Sequence, residues 1–108
     1  MKKFIILIPI YNDWESLVKL LNNINENIKK IKEVQFDCII VNDCSTIINP
    51  KIRIPSQINS IKIIHMNKNK GHARCNAFGI KYLSDNLDFD YVILMDGDGE
   101  DRPEEIKL

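Results

Sequence analysis

Tyr91-Val-Ile-Leu-Met95, followed at once by Asp96-Gly-Asp-Gly-Glu-Asp101 and Arg102-Pro103-Glu104-Glu105-Ile106, is the stretch that decides the fold. The apolar run has the length and β-branched content of a buried strand. It stops at two carboxylates one residue apart, with glycines at 97 and 99. Pro103 suits the first turn of a following helix, where its missing N–H would go unpaired anyway. The pattern therefore sets a cluster of acids in a turn at the carboxyl end of a central strand, the place where open α/β sheets bind ligands. Asp96, Asp98, Glu100 and Asp101 put four acids within six residues. Such crowding is repulsive unless water or a cation compensates. The stretch reads as a hard-metal and phosphate site.

The remaining chain reads as the frame of that site. Phe4 to Ile10 is a strand closed by Pro9, a residue that belongs near a strand end. Asn12, with Glu15 three residues on, has the form of a capping box. Trp14, Leu17, Val18, Leu21, Ile24, Ile28 and Ile31 then recur at helical spacing as one apolar stripe. Phe36 to Val41 is a second strand, ending in Asn42-Asp43-Cys44-Ser45-Thr46. Residues 47 to 58, with Pro50 and Pro55, show no clean period and predict an irregular connection. Ser60 to Met66 is a third strand, Asn67 to Gly71 a turn, and His72 to Ser84 or Asn86 a helix with Ala73, Ala77, Ile80 and Leu83 as its expected core face. Asp90 to Met95 is the fourth strand. The order β-α-β-loop-β-α-β implies right-handed crossovers and a mainly parallel sheet. Tyr11 to Asp13, Asn42 to Thr46 and Asp96 to Asp101 should then converge along one rim.

Composition narrows the class. With 108 residues, 44% hydrophobic and 28% charged, the chain fits one soluble domain able to bury its own core. Fifteen basic residues balance fifteen acidic ones, so the total charge carries no footprint for nucleic acid. Cys38, Cys44 and Cys75 show no C-x-x-C spacing and an odd count, which favours a reduced, cytoplasmic setting over a disulfide framework. The apolar start breaks at Pro9 without a cleavage site, and no run approaches the ~20 apolar residues of a membrane span. Association with the inner face of a membrane would have to come from other segments.

Four motifs together resemble the family 2 glycosyltransferases, inverting enzymes of the GT-A fold. Pro9-Ile-Tyr11-Asn12 resembles the family's first-strand Pro-x-Tyr-Asn, and Asn42-Asp43-Cys44-Ser45-Thr46 its Asp-Asp-x-Ser-Thr. Asn69-x-Gly71-His72-x-Arg74, running on to Gly79, is similar to its Asn-x-Gly helix start, and Asp96-Gly97-Asp98 to its Asp-x-Asp metal motif. The longer Asp96-x-Asp98-x-x-Asp101-x-Pro103-Glu104 resembles the subset that transfers sugars onto polyprenyl phosphates. Two positions depart from the pattern. Asn42 stands where the family commonly has Asp, and Cys44 where Gly or Asn is common; Cys44 would be strained if the turn needs a positive φ.

The resemblance implies a three-layer, Rossmann-like α/β/α fold and a single nucleotide-sugar-binding domain over residues 1–108, cut after the Asp-x-Asp loop. It implies transfer of a sugar, with inversion, from a UDP- or GDP-type donor to a glycan or polyprenyl phosphate. Pro9, Tyr11, Asn12, Asp43, Gly71, Arg74, Asp96 and Gly97 would bind the nucleotide sugar. Asp98, with Asp96, would hold Mg²⁺ or Mn²⁺. The acceptor site and general base are expected beyond Leu108, which leaves a non-catalytic nucleotide-sugar-binding module as the alternative. A Ca²⁺-binding EF-hand loop fits poorly, because Asp101 stands where glycine is needed and Lys107 where the bidentate Glu belongs. A dinucleotide-binding domain lacks G-x-G-x-x-G after the first strand.

Overall fold

A computed structural model describes residues 1–47 and 51–96. The elements run β1 (Lys2–Ile10), α1 (Trp14–Ile28), β2 (Val34–Asn42), β3 (Ser60–His65), α2 (His72–Asn86) and β4 (Tyr91–Leu94). All three pairings are parallel, and the spatial order is β3-β2-β1-β4. The chain steps outward from β1 to β2 and β3, then returns across the sheet to β4. Crossovers of one hand that travel in opposite directions place their helices on opposite faces. That produces the expected three layers.

The alternation of β1 shows the layering directly. Phe4, Ile6, Ile8 and Ile10 join the core under α1 with Trp14, Leu17, Leu20, Leu21, Ile24 and Ile28. Ile5 and Leu7 point the other way, to Ile39, Val41, Cys75 and Leu83 beneath α2. A central strand with both faces covered must be apolar at every position, which is why Phe4 to Ile10 reads as an unbroken run. Each such side chain contributes about 1.5–3 kcal/mol when withdrawn from water.

The sequence reading differs from the structure in four places. Tyr91 to Met95, expected as a buried central strand, supplies β4 at the edge of the described sheet, paired there with β1 alone, which leaves Tyr91 49% and Leu94 47% exposed. Asn12 does not cap α1: the N-cap is Asp13, without a side-chain hydrogen bond. The stripe of α1 rotates slightly, burying Leu20 and leaving Val18 37% exposed. In α2 the buried line is Cys75, Gly79 and Leu83, while Ala73, Ala77 and Ile80 are exposed. The cause is close approach. A Cβ built on Gly79 would lie 2.6 Å from Leu7 Cδ1 and 2.9 Å from Leu7 Cδ2, so the helix turns its one side-chain-free position onto the sheet.

Gly79→Val should therefore overpack the sheet against a fully buried Leu7 and lower stability by about 2–3 kcal/mol, read as a fall in the urea midpoint at unchanged slope. An unchanged midpoint would mean that α2 can lift off the sheet at no cost.

At the other end of β2, Asp37 is hydrogen-bonded by Ser60, Gln35 and Asn59. Partial burial raises its pKa, but those three donors and the charge of Lys3 outweigh it and hold the carboxyl below its ordinary 3.8. A depressed pKa means the contribution is complete above the unfolded value and fades as pH falls through the folded one. Acid titration should accordingly weaken the β2–β3 edge as pH falls below the ordinary 3.8, with Asp37→Asn flattening that limb.

Candidate functional site

The carboxyl ends of the strands build one rim. Ile10 and His65 each sit level with Asn42 in the parallel register, and Met95 N–H donates to Leu7 C=O at 3.0 Å as β4 ends. Because β1 feeds β2 on one side and has β4 on the other, the rim between β1 and β4 is the topological switch point, where strand-end loops part and leave a crevice. Asp96 lies there, partly buried.

Asn12 supplies the first connection. It adopts φ 61°, which a short polar side chain tolerates better than most. Its Oδ1 accepts from the backbone N–H of Thr46 at 2.7 Å and of Ile47 at 2.9 Å, and its Nδ2 donates to Thr46 Oγ1 at 3.0 Å. Its own N–H donates to Ser45 Oγ at 2.8 Å. The residue thus latches the β1 loop to the β2 loop 34 positions away.

Asn42 forms the second connection. Its Oδ1 accepts from Ser45 N–H at 3.1 Å and from the Ser45 hydroxyl. That fixes the carboxamide orientation and turns Nδ2 to His65 Nδ1, 2.9 Å away. An NH₂ can only donate, so His65 Nδ1 is the acceptor of this pair. Asn42, in the position where the motif commonly has Asp, therefore does a job an ionised carboxylate could not: it accepts on one side and donates on the other. His65 is a rim residue that the motifs did not reveal; its only signal was a histidine at the end of a strand level with Asn42.

Asp43 holds the third. Its carboxylate accepts from Lys70 N–H at 2.6 Å and from Gly71 N–H at 2.8 Å, while its backbone N–H donates to Ile10 C=O at 2.8 Å and Asn69 Nδ2 donates to its carbonyl at 3.3 Å. Only 1% of Asp43 is exposed. It binds the start of α2 to the ends of β1 and β2. Gly71 is the N-cap, at φ 86° and ψ 158°, a region essentially reserved for glycine. No atom lies within 4 Å of a Cβ placed there. Backbone conformation, not crowding, demands the glycine. Cys44 does reach φ 59°, so a residue with a full side chain carries the strain its position foretold, a cost of order 1–3 kcal/mol.

The Cys75 thiol hydrogen-bonds Asp43 from below; burial first, then that carboxylate, push its pKa up to about 12. Burial, with a smaller effect of Asp37, does the same to Cys38. The three cysteines are free, and only Cys44 is part-exposed. At pH 8 a thiol reagent should label Cys44 alone in the native chain and all three after unfolding; native labelling of Cys75 would mean the core under Asp43 opens. Because both buried pKa values are raised, their stabilisation is complete below the ordinary 9.0 and lost as pH climbs toward about 12.

Among the residues named from the motifs, Asn12, Asp43 and Gly71 form one bonded assembly. Pro9 is fully buried beneath it, Tyr11 is 41% exposed above it, and Arg74 is exposed in the first turn of α2. Next to Gly71, His72 Nδ1 lies 3.7 Å from Asp96 Oδ1 with both side chains roughly half exposed, which ties the start of α2 to the end of β4. Gly97 and Asp98, the remaining acids of that loop and the helix expected after Pro103 lie outside the described residues.

An all-parallel α/β sheet whose polar loops meet at the switch-point rim is the architecture of a GT-A domain. A solved structure, S. aureus TarS, superposes with a TM-score of 0.64 over 91% of this chain and 17% of its own, at 21% identity, and so supports the fold. Residues 5–108 match the family model for glycosyl transferase family 2, and the chain belongs to that family.

Two similar proteins are named undecaprenyl-phosphate 4-deoxy-4-formamido-L-arabinose transferase. That of Proteus mirabilis is 30% identical over 96% of this chain and 31% of its own length. That of Photorhabdus laumondii is 32% identical over 97% and 32%. An uncharacterized protein of Methanocaldococcus jannaschii is 27% identical over 94% and 43%. The chain spans less than half the length of these curated relatives.

Proposed function

We propose that this chain forms the donor-binding part of an inverting glycosyltransferase, which takes a sugar from a UDP- or GDP-type nucleoside diphosphate and passes it to a polyprenyl phosphate. Family membership supports the transfer, and the names of the two bacterial relatives support the lipid phosphate. The observation that carries the reading is the bonded convergence of the β1 and β2 loops with the start of α2 beside Asp96.

Each residue then has a task. Tyr11 offers an apolar ring for stacking on the base. Asn12, Asn42 and Asp43 hold the 43–47 loop in one shape, so that backbone and hydroxyl groups meet the base and ribose without reordering. Arg74 and the N-terminus of α2 supply positive charge suited to a diphosphate. Asp96 is a half-exposed hard-oxygen donor at a strand end, which fits Mg²⁺ or Mn²⁺, cations that take one or two carboxylates and complete their shell with phosphate and water. Asp98 is the second ligand in this reading. When bound, the cation stabilises the charge on the departing diphosphate.

Titration calorimetry with UDP- and GDP-sugars tests the proposal. Binding should require Mn²⁺ or Mg²⁺ and fall roughly tenfold or more in Asp98→Asn, in line with the loss of a charge-assisted metal contact. Binding of equal strength with and without metal would sink it.

A further inference from the structure

A total charge of zero conceals a segregation along the chain. Residues 44–84 contain seven Lys and Arg and not one Asp or Glu, whereas residues 85–108 contain nine acids and two cations. The basic stretch begins with the connection from β2 to β3. Its described residues 47 and 51–57 lie against α1 as a strap: Trp14 Nε1 donates to Ile47 C=O at 3.0 Å, and Gln57 N–H donates to Asn25 Oδ1 at 2.7 Å. Between these anchors Ile52 packs inward on the core. A groove of about 280 Å³ opens between strap and helix, lined by Val18, Leu21, Lys51 and Arg53 among others.

The outer surface of the strap combines cations with exposed apolar side chains. Lys51 and Arg53 are exposed, and no carboxylate among the described residues pairs with either. Ile47 is 57% exposed, Ile54 48% and Val18 37%. An isolated exposed isoleucine needs no explanation. Ile47 and Ile54, interleaved in a stretch without acids with two cations that no described carboxylate pairs, and Val18 beside them on α1, are the composition of a surface that lies in the headgroup region of an anionic bilayer. The cations meet phosphates while the aliphatic groups enter the acyl boundary.

We infer that the strap between β2 and β3, with the adjoining flank of α1, is a docking surface for an anionic lipid bilayer. Charge complementarity selects this occupant. An acidic protein surface would satisfy Lys51 and Arg53 but leave the aliphatic groups without a matching phase, and a nucleic acid would leave them in water. The strap starts one residue after Thr46, which Asn12 holds at the rim, so docking brings the candidate site close to the membrane plane. The inference goes beyond the proposed function and does not depend on donor binding.

Co-sedimentation of the full chain with vesicles of phosphatidylcholine, with and without 30% phosphatidylglycerol, decides it. The chain should partition onto the anionic vesicles, and binding should weaken as salt rises. Lys51→Gln/Arg53→Gln should reduce partition about thirtyfold, on the basis of roughly fivefold per cation. Ile54→Asp should also reduce it at unchanged positive charge on Lys51 and Arg53. Nucleotide-sugar titration of both variants should match the parent, which separates loss of docking from loss of donor binding. Equal partition onto pure phosphatidylcholine, full retention by the double variant, or tighter association with RNA than with anionic vesicles would overturn the inference.

Discussion

Asp43→Ala should be the most damaging single substitution in the rim, lowering stability by about 3–5 kcal/mol. The carboxylate is buried and accepts two backbone N–H groups, from Lys70 and Gly71, besides the Cys75 thiol. Alanine leaves those donors facing a void with no water to replace the oxygens. Asp43→Asn should be nearly as costly, because both oxygens accept and an amide must turn its NH₂ toward one of the N–H donors. For a domain of this length a 3 kcal/mol loss corresponds to a fall in Tm of roughly 12–24 °C. Thermal melts followed by circular dichroism measure it. A shift of under about 2 °C, well below the scale of one such bond, would show that the start of α2 is held by something other than this carboxylate.

Asn12 should rank second, and for two separable reasons. It occupies φ 61° and it makes the contacts that hold residues 45–47. Asn12→Ala loses both the side-chain bonds and tolerance of that backbone, at an expected cost of about 2–4 kcal/mol. Asn12→Gly keeps the backbone and loses only the bonds, so it should cost about 1–2 kcal/mol less than alanine. Since the latch shapes the loop expected to meet the base, both variants should weaken nucleotide-sugar binding even at temperatures where they remain folded. Equal stability of the glycine and alanine variants would mean the positive φ carries no cost, and unaltered ligand binding would remove Asn12 from the site altogether.

The sequence reading and the structure agree most closely where one physical constraint acts alone. Continuous burial on both faces fixes Phe4 to Ile10 as a central strand, and helical periodicity fixes α1. Agreement ends where two constraints compete. Ala73, Ala77 and Ile80 are more hydrophobic than Gly79, yet α2 approaches the sheet through Gly79 because only a missing side chain leaves room for Leu7. Asn12 and Glu15 have the spacing of a capping box, yet the Asn12 carboxamide finds two backbone donors in the 45–47 loop, a stronger offer than one N–H of its own helix.

What the chain determined by itself is the parallel α/β scaffold, the order of its elements and the rim on which its polar motifs fall, because periodicity and glycine placement are local properties. Four motifs at their intervals also carried the family. Only the tertiary structure decided what each rim residue does. Asp43 turned inward to bind the start of α2, Asn42 to serve His65, and Asn12 to latch a distant loop, because the partners of a hydrogen bond are chosen by proximity in space. The placement of the basic strap against α1 was equally hidden, since its anchors, Trp14 to Ile47 and Gln57 to Asn25, join residues more than thirty positions apart.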